Sequence, residues 1–288
     1  MKRTAAIFLT VLGVIAGVIG GLGSSASAVT EEITVVSRED GSGTRGAFIE
    51  LMGIEAKSEG GARKDMTTKE AVIANKTDVM LLNISKDPNA IGYISLGSLN
   101  DTVKALAIDG TQPTTDNVKS GAYKIARPFI IATKGAPGGA AKDFIDFILS
   151  AEGQKIVGGS GYIPATDQAS AYPRGKHEGK VTVAGSSSVT PVMEKLREAY
   201  IALNPSVAIE VQMSDSTAGM TAAIDGIADI GMSSRALKEG EAQQLIGVSI
   251  AIDGIAVIVN RNNPLNTLTS EQVQKIFKGE TTAWNKVQ

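Results

Sequence analysis

The residues with the clearest chemistry lie in one stretch, Ser37-Arg38-Glu39-Asp40-Gly41-Ser42-Gly43-Thr44. It follows the β-rich run Ile33-Thr34-Val35-Val36. It leads into a helical pattern with Phe48, Leu51 and Met52 on one face, so it sits where a strand ends and a helix begins. The first N–H groups of a helix have no acceptor within the helix, and its dipole leaves partial positive charge there. Glycines let backbone approach a ligand closely, Ser42 and Thr44 add hydroxyls, and Arg38 adds a fixed cation with a planar fork of donors. Together these read as a seat for an oxyanion. The same residues also read as a capped helix after a tight turn. Gly41 to Gly46 matches G-x-G-x-x-G. A dinucleotide site, however, wants its first glycine directly at the strand end and an acidic residue about 20 positions on, closing a second strand. Here Arg-Glu-Asp intervenes, and the region around Glu59 and Lys64 is polar and glycine-rich.

Composition removes other chemistries. The 288 residues include no cysteine, one histidine and 4% aromatics, with a formal net charge of −2. The usual zinc sites and Cys–His pairs are excluded, and a Ser–His–Asp triad would have to use His177. That residue lies in the loop-like run Tyr172 to Gly179 and reads as a solvated linker histidine. Neither G-x-S-x-G nor a P-loop occurs. The charge balance argues against nucleic acid as a partner. Lys2 and Arg3, an apolar run from Ala5 to Val18, and Ala26-Ser27-Ala28 have the form of a secretion leader over 1–28, cleaved before Val29. An uncleaved anchor is the alternative. With no cysteine to carry a lipid, a soluble periplasmic or secreted product is expected.

Alternating strand and helix patterns predict an α/β fold. Strands are expected at 33–36, 91–96, 103–108, 129–133, 181–184, 209–212, 228–231 and 250–260. Helices are expected after residue 44, over 141–157, from about 189 to 203, from 220, up to 245 and near 273–277, while 69–82 mixes helix-formers with an apolar tail. Residues 167–179 are low in apolar residues and read as a linker. Four strand-to-helix junctions carry a serine at the expected N-cap, around Ser42, Ser188, Ser216 and Ser234. In an α/β sheet such junctions share the carboxyl edge of the strands, so four hydroxyls and Arg38 would surround a small anion.

Three of these junctions carry a family resemblance. Ala184-Gly185-Ser186-Ser187-Ser188-Val189-Thr190-Pro191, Asp229-Ile230-Gly231-Met232-Ser233-Ser234-Arg235 and Ser37 to Thr44 resemble the ligand loops of the phosphate-binding protein of the phosphate ABC transporter. Ala90 to Ser95, Asp253 to Val259 and Gly153-Gln154-Lys155 resemble further family signatures, so the likeness covers nearly all of 33–166 and 180–287. The order differs: family members begin with the portion similar to 181–284 and continue into the portion similar to 37–164. The chain therefore resembles a circularly permuted member, with 167–179 joining the old ends.

The resemblance implies a type II periplasmic-binding-protein-like fold of two α/β lobes closing on ligand by a hinge. One lobe would span 126–260, and the other 29–125 completed by 261–288, with Glu31 near Val287. It implies a receptor that is not an enzyme and carries no cofactor. The receptor would bind inorganic phosphate as a monomer and deliver it to an ABC permease. By motif, the phosphate contacts would be Arg38, Ser42, Gly43, Thr44, Ser188, Val189, Thr190, Ser216 and Ser234, with Asp40 holding Arg38. The register around Val189 and Thr190 is ambiguous by one residue. Asp215 stands where relatives usually have glycine; it reads either as a turn residue or as the acceptor of the HPO₄²⁻ proton. In some relatives an aspartate fills that acceptor role at the position of Ser234. Another tetrahedral oxyanion, a permuted scaffold uncoupled from transport, and a phosphate-ester enzyme are the competing functions.

Overall fold

The computed structural model describes residues 32–57, 63–175 and 177–287; the expected leader over 1–28 and Glu31 lie outside them. Its main sheet is a path of strands in the order Val207–Ser214, Gly179–Ser186, Ile230–Ser233, Ala126–Thr133, Ile246–Asn260, Ala90–Ser95, Thr34–Arg38 and Val72–Ala74. Each end of the path is parallel. Gly179–Ser186 pairs with Val207–Ser214 and Ile230–Ser233, and Thr34–Arg38 with Ala90–Ser95 and Val72–Ala74. The middle is antiparallel, where Ile246–Asn260 pairs first with Ala126–Thr133 and then with Ala90–Ser95. The result is two α/β lobes sharing one long strand.

That strand is apolar on both faces from Ile255 to Val259, as a strand covered on both sides must be. Ile250 and Ala251 pack with Phe129, Phe144, Val183 and Leu196 in one core. Ile255, Val257 and Val259 pack with Phe48, Tyr93 and Phe277 in another, which also takes Ile163. The strand therefore passes from one core to the other near Asp253 and Gly254. At the crossing, Asp253 is fully buried. One oxygen accepts from Arg127 Nη2 at 3.0 Å and the other from Ser95 Oγ at 3.0 Å. The Arg127 guanidinium also lies over the Phe129 ring.

Local corrections have identifiable causes. The helix expected over 141–157 is two, Gly139–Leu149 and Ala151–Gly159. Ser150 breaks it by donating to Phe147 O at 2.7 Å while accepting from Gly153 N–H at 3.2 Å, so one hydroxyl ends the first helix and caps the second. The mixed stretch 69–82 resolves into the strand Val72–Ala74 and the start of the helix Thr77–Lys86. The linker 167–179 lies against the first core. Tyr172 is buried there, its hydroxyl donating to Asp143 at 2.5 Å and its N–H to Glu152 at 2.9 Å. His177 is accordingly not a solvated linker histidine. It is half-buried, with Nε2 3.3 Å from the Asp143 carboxylate.

Residues near the two ends of the described chain are adjacent. Glu32 bridges Ala283, and Ile33 N–H donates to Thr282 O at 2.8 Å. Val273, Ile276 and Phe277 complete the core that begins with Ile33 and Val35.

Breaking the crossing pair by Asp253→Asn leaves the Arg127 charge buried without its counter-ion, and unfolding stability should fall by about 3–5 kcal/mol. Equilibrium denaturation of the variant checks this; an unchanged midpoint would show that the pair contributes nothing.

Candidate functional site

The end of Thr34–Arg38 is held from below. Tyr93, fully buried and stacked on Phe48 at 3.9 Å, places its hydroxyl 2.9 Å from Ser37 Oγ and accepts from Arg38 N–H at 3.1 Å. Burial raises the Tyr93 phenol above its ordinary value, so it stays protonated. Arg45, one turn into the helix Gly43–Leu51, braces the same loop. It donates to Arg38 O at 2.6 Å and Asp65 at 2.7 Å and pairs with Asp40 at 3.1 Å. Burial works to raise the Asp65 carboxyl, but hydrogen bonds from Thr67 and the Arg45 guanidinium hold it below the usual range.

Arg38 is 2% exposed. Its Nε and Nη2 meet both oxygens of Glu39 at 2.8 and 2.7 Å, Nε also reaches Ala74 O, and Nη2 donates to Ser187 Oγ at 3.0 Å. Nη1 is buried with no protein partner. The carboxylate holding Arg38 is therefore Glu39, not Asp40. The strand ends at Arg38, and the following turn carries Asp40 into solvent, 98% exposed.

Around this guanidinium the two lobes bring hydroxyls together. Thr44 Oγ1 lies 2.8 Å from Ser188 Oγ, Ser186 donates to Ser234 at 2.9 Å, and Ser234 N–H donates to Ser216 Oγ at 3.1 Å. Thr77 Oγ1 stands 3.5 Å from both Ser187 and Ser188. Gly43 packs into the group so closely that a Cβ there would lie 2.3 Å from Ser216 Oγ and 2.7 Å from Ser234 Oγ.

Helix starts supply the backbone donors. Ser42 caps Gly43–Leu51 by accepting from Arg45 N–H, which leaves the Gly43 and Thr44 N–H groups without an acceptor in the helix. The other expected serine caps differ. Asp215 caps Ser216–Ile224, its Oδ1 2.8 Å from Ala218 N, which frees the Ser216 hydroxyl to point inward. Val189 takes the cap position of Thr190–Leu203 without a side-chain bond. After Ser234 the chain runs irregularly to Lys238 before the short helix Glu239–Ala242, because Ser233 and Arg235 close a local turn.

Arg38, Ser42, Gly43, Thr44, Ser188, Ser216 and Ser234 thus come to one place. Val189 N–H and the Thr190 hydroxyl both turn back to Ser186 O at 3.0 Å, so of the donors expected from these two residues the Thr190 N–H at the helix start is the one not engaged by that carbonyl. Ser186 and Ser187, from the same serine run, also bring their hydroxyls to this group. Thr77 and Glu39 were not foreseen. Nothing local marks Thr77, which reaches the sheet edge only because the strand Val72–Ala74 precedes it. Chemically the group is one guanidinium, seven hydroxyls and helix-start N–H groups, with both Glu39 oxygens already engaged. Such a set is built for a small tetrahedral oxyanion, and each hydroxyl can either donate or accept.

Gly43→Ala should cost oxyanion affinity at least tenfold, because its Cβ must displace the Ser216 and Ser234 hydroxyls while the fold stays intact. Calorimetric titration beside circular dichroism checks it; wild-type affinity in the variant would mean that the two loops need not approach this closely.

Comparison with known proteins agrees with this architecture. The family model described as PBP superfamily domain matches residues 24–152 and 167–288. A protein named phosphate-binding protein PstS 2 from Streptococcus agalactiae is 54% identical over 272 residues, 93% of this chain and 92% of that protein. The phosphate-binding protein PstS of Bacillus subtilis is 40% identical over 141 residues, 48% of this chain and 43% of that protein. Among solved structures, a phosphate-binding protein of a phosphate ABC transporter from Streptococcus pneumoniae superposes with a TM-score of 0.72 at 44% identity, covering 89% of this chain and all of that one. With its two lobes, its hydroxyl-lined junctions and the near full-length streptococcal relatives, the chain belongs to the PstS-like phosphate-binding proteins of the PBP superfamily.

Proposed function

We propose that the protein is an extracytoplasmic receptor that binds inorganic phosphate between its lobes and delivers it to an ABC permease in the membrane. The observation that carries this is the buried Nη1 of Arg38, without a protein partner, on a guanidinium that joins through Ser187 a linked group of seven hydroxyls from both lobes. Arg38, Ser42, Gly43, Thr44, Ser188, Ser216 and Ser234 hold the ion, joined by Thr77, Ser186 and Ser187. Glu39 balances the guanidinium, so the dianion is met mainly by hydroxyl and N–H dipoles rather than net charge. A hydroxyl lone pair accepts the proton of HPO₄²⁻, and Asp215 serves as a helix cap. Export by a leader over 1–28 and action as a monomer complete the reading.

The lobes comprise 126–253, and 29–125 with 254–288. This moves the expected boundary from 260 to the crossing at Asp253 and Gly254, on the core membership of Ile255, Val257 and Val259. The two portions stand in exchanged order relative to the wider family. The short match to the Bacillus subtilis protein, about half of each chain, supports this, as does the bridge between Glu32 and Ala283 near the ends. The near full-length match to the Streptococcus agalactiae protein supports an order that the streptococcal relatives share.

The test is isothermal titration of ligand-stripped protein with phosphate and then sulfate. One-to-one phosphate binding with weak or no sulfate heat is expected, and no phosphate binding by folded protein overturns the proposal. Asp215→Asn, which keeps the cap, should bind phosphate with unchanged affinity; a loss of tenfold or more would instead make Asp215 the proton acceptor.

A further inference from the structure

Beside the hydroxyl group, the lobes touch through a contact that reaches no ligand position. Gly41 O, in the loop after Thr34–Arg38, accepts from both Thr217 N–H at 3.2 Å and Thr217 Oγ1 at 3.1 Å, in the first turn of Ser216–Ile224. Behind Thr217, Arg235 Nη2 donates to the same hydroxyl at 3.2 Å. That bond occupies a lone pair of Thr217 and leaves its single proton for Gly41. Arg235 is in turn fixed by both oxygens of Glu241 at 2.7 and 2.8 Å, and Glu241 also accepts from Lys238 N–H. Burial works to raise the Glu241 carboxyl, yet Arg235 and the Lys238 N–H hold it below the usual range, so the brace stays charged.

Each part adjoins a residue of the candidate site: Gly41 precedes Ser42, Thr217 follows Ser216, and Arg235 follows Ser234. Gly41 has no side chain to spare here, since a Cβ would lie 2.2 Å from Asp215 Oδ1. Because the contact joins the two lobes, a movement that parts them breaks it.

We infer that Thr217, aligned by Arg235 and Glu241, is a positioning residue that latches the closed lobes at Gly41 and sets how slowly the bound oxyanion leaves. This rests on the phosphate reading above and adds to it the residue that governs release. An ion enters the open form, before the latch exists, so capture is insensitive to it. Release must break it first.

The experiment measures association and dissociation of radiolabelled inorganic phosphate by rapid filtration and chase, for wild type, Thr217→Val and Thr217→Ser. The valine variant keeps the shape and the N–H bond but lacks the hydroxyl. It should release phosphate about five- to tenfold faster, the worth of one such hydrogen bond, with capture within about twofold of wild type. The serine variant, which keeps the hydroxyl, should release at close to the wild-type rate. Unchanged release from Thr217→Val overturns the latch, as does a change that falls on capture, or a serine variant as fast as the valine one. Failure of the wild type itself to bind phosphate overturns the phosphate reading instead.

Discussion

A guanidinium buried to 2% exposure is the constraint around which this protein is arranged. Removing that charge from water is expensive unless it is paired and hydrogen-bonded. The chain meets the cost locally, with Glu39 in sequence, Ala74 O across the sheet and Ser187 from the opposite lobe. What remains is one nitrogen among hydroxyls. Because Glu39 offsets the charge, the surroundings have little net field. Selection among anions then falls to the number and direction of O–H and N–H groups. A guanidinium without its carboxylate would attract any anion; a paired one demands geometry.

The second requirement is that the lobes approach closely enough for loops from each to share those hydroxyls. Two glycines make room, Gly41 against the Asp215 carboxylate and Gly43 against the Ser216 and Ser234 hydroxyls. Alignment comes from the shared strand Ile246–Asn260, whose bonding passes from one lobe to the other without a break in the chain. The buried Arg127–Asp253 pair marks where it crosses. A continuous strand ties the two lobes together at that crossing.

Much of this was legible in the sequence where the signal is local. Apolar runs located the strands near 181–184, 209–212 and 250–260, and serines at strand-to-helix junctions singled out Ser42, Ser188, Ser216 and Ser234. What escaped depends on contacts far apart in the chain. Asp40 and Glu39 are equal as letters, and only the end of the strand at Arg38 decides which carboxylate turns inward. Thr77 carries no mark, because the strand before it is short and lies at the sheet edge. The capping of Ser216–Ile224 went to Asp215, since a carboxylate competes for the same N–H as well as a hydroxyl does. The stretch 167–179 looked like a linker because it is poor in apolar residues, yet its one large ring, Tyr172, fits into the core of its lobe.

The bridge between Glu32 and Ala283 has a geometric consequence. Both lie at the start of Thr34–Arg38, whereas Arg38 lies at its far end, roughly 15 Å away for five residues of strand. A support or label attached at Glu32 or Ala283 would therefore hang from the rim opposite the hydroxyl-lined loops. Held by that rim, the protein would present its cleft outward, so it can be immobilised without obstructing entry of an ion.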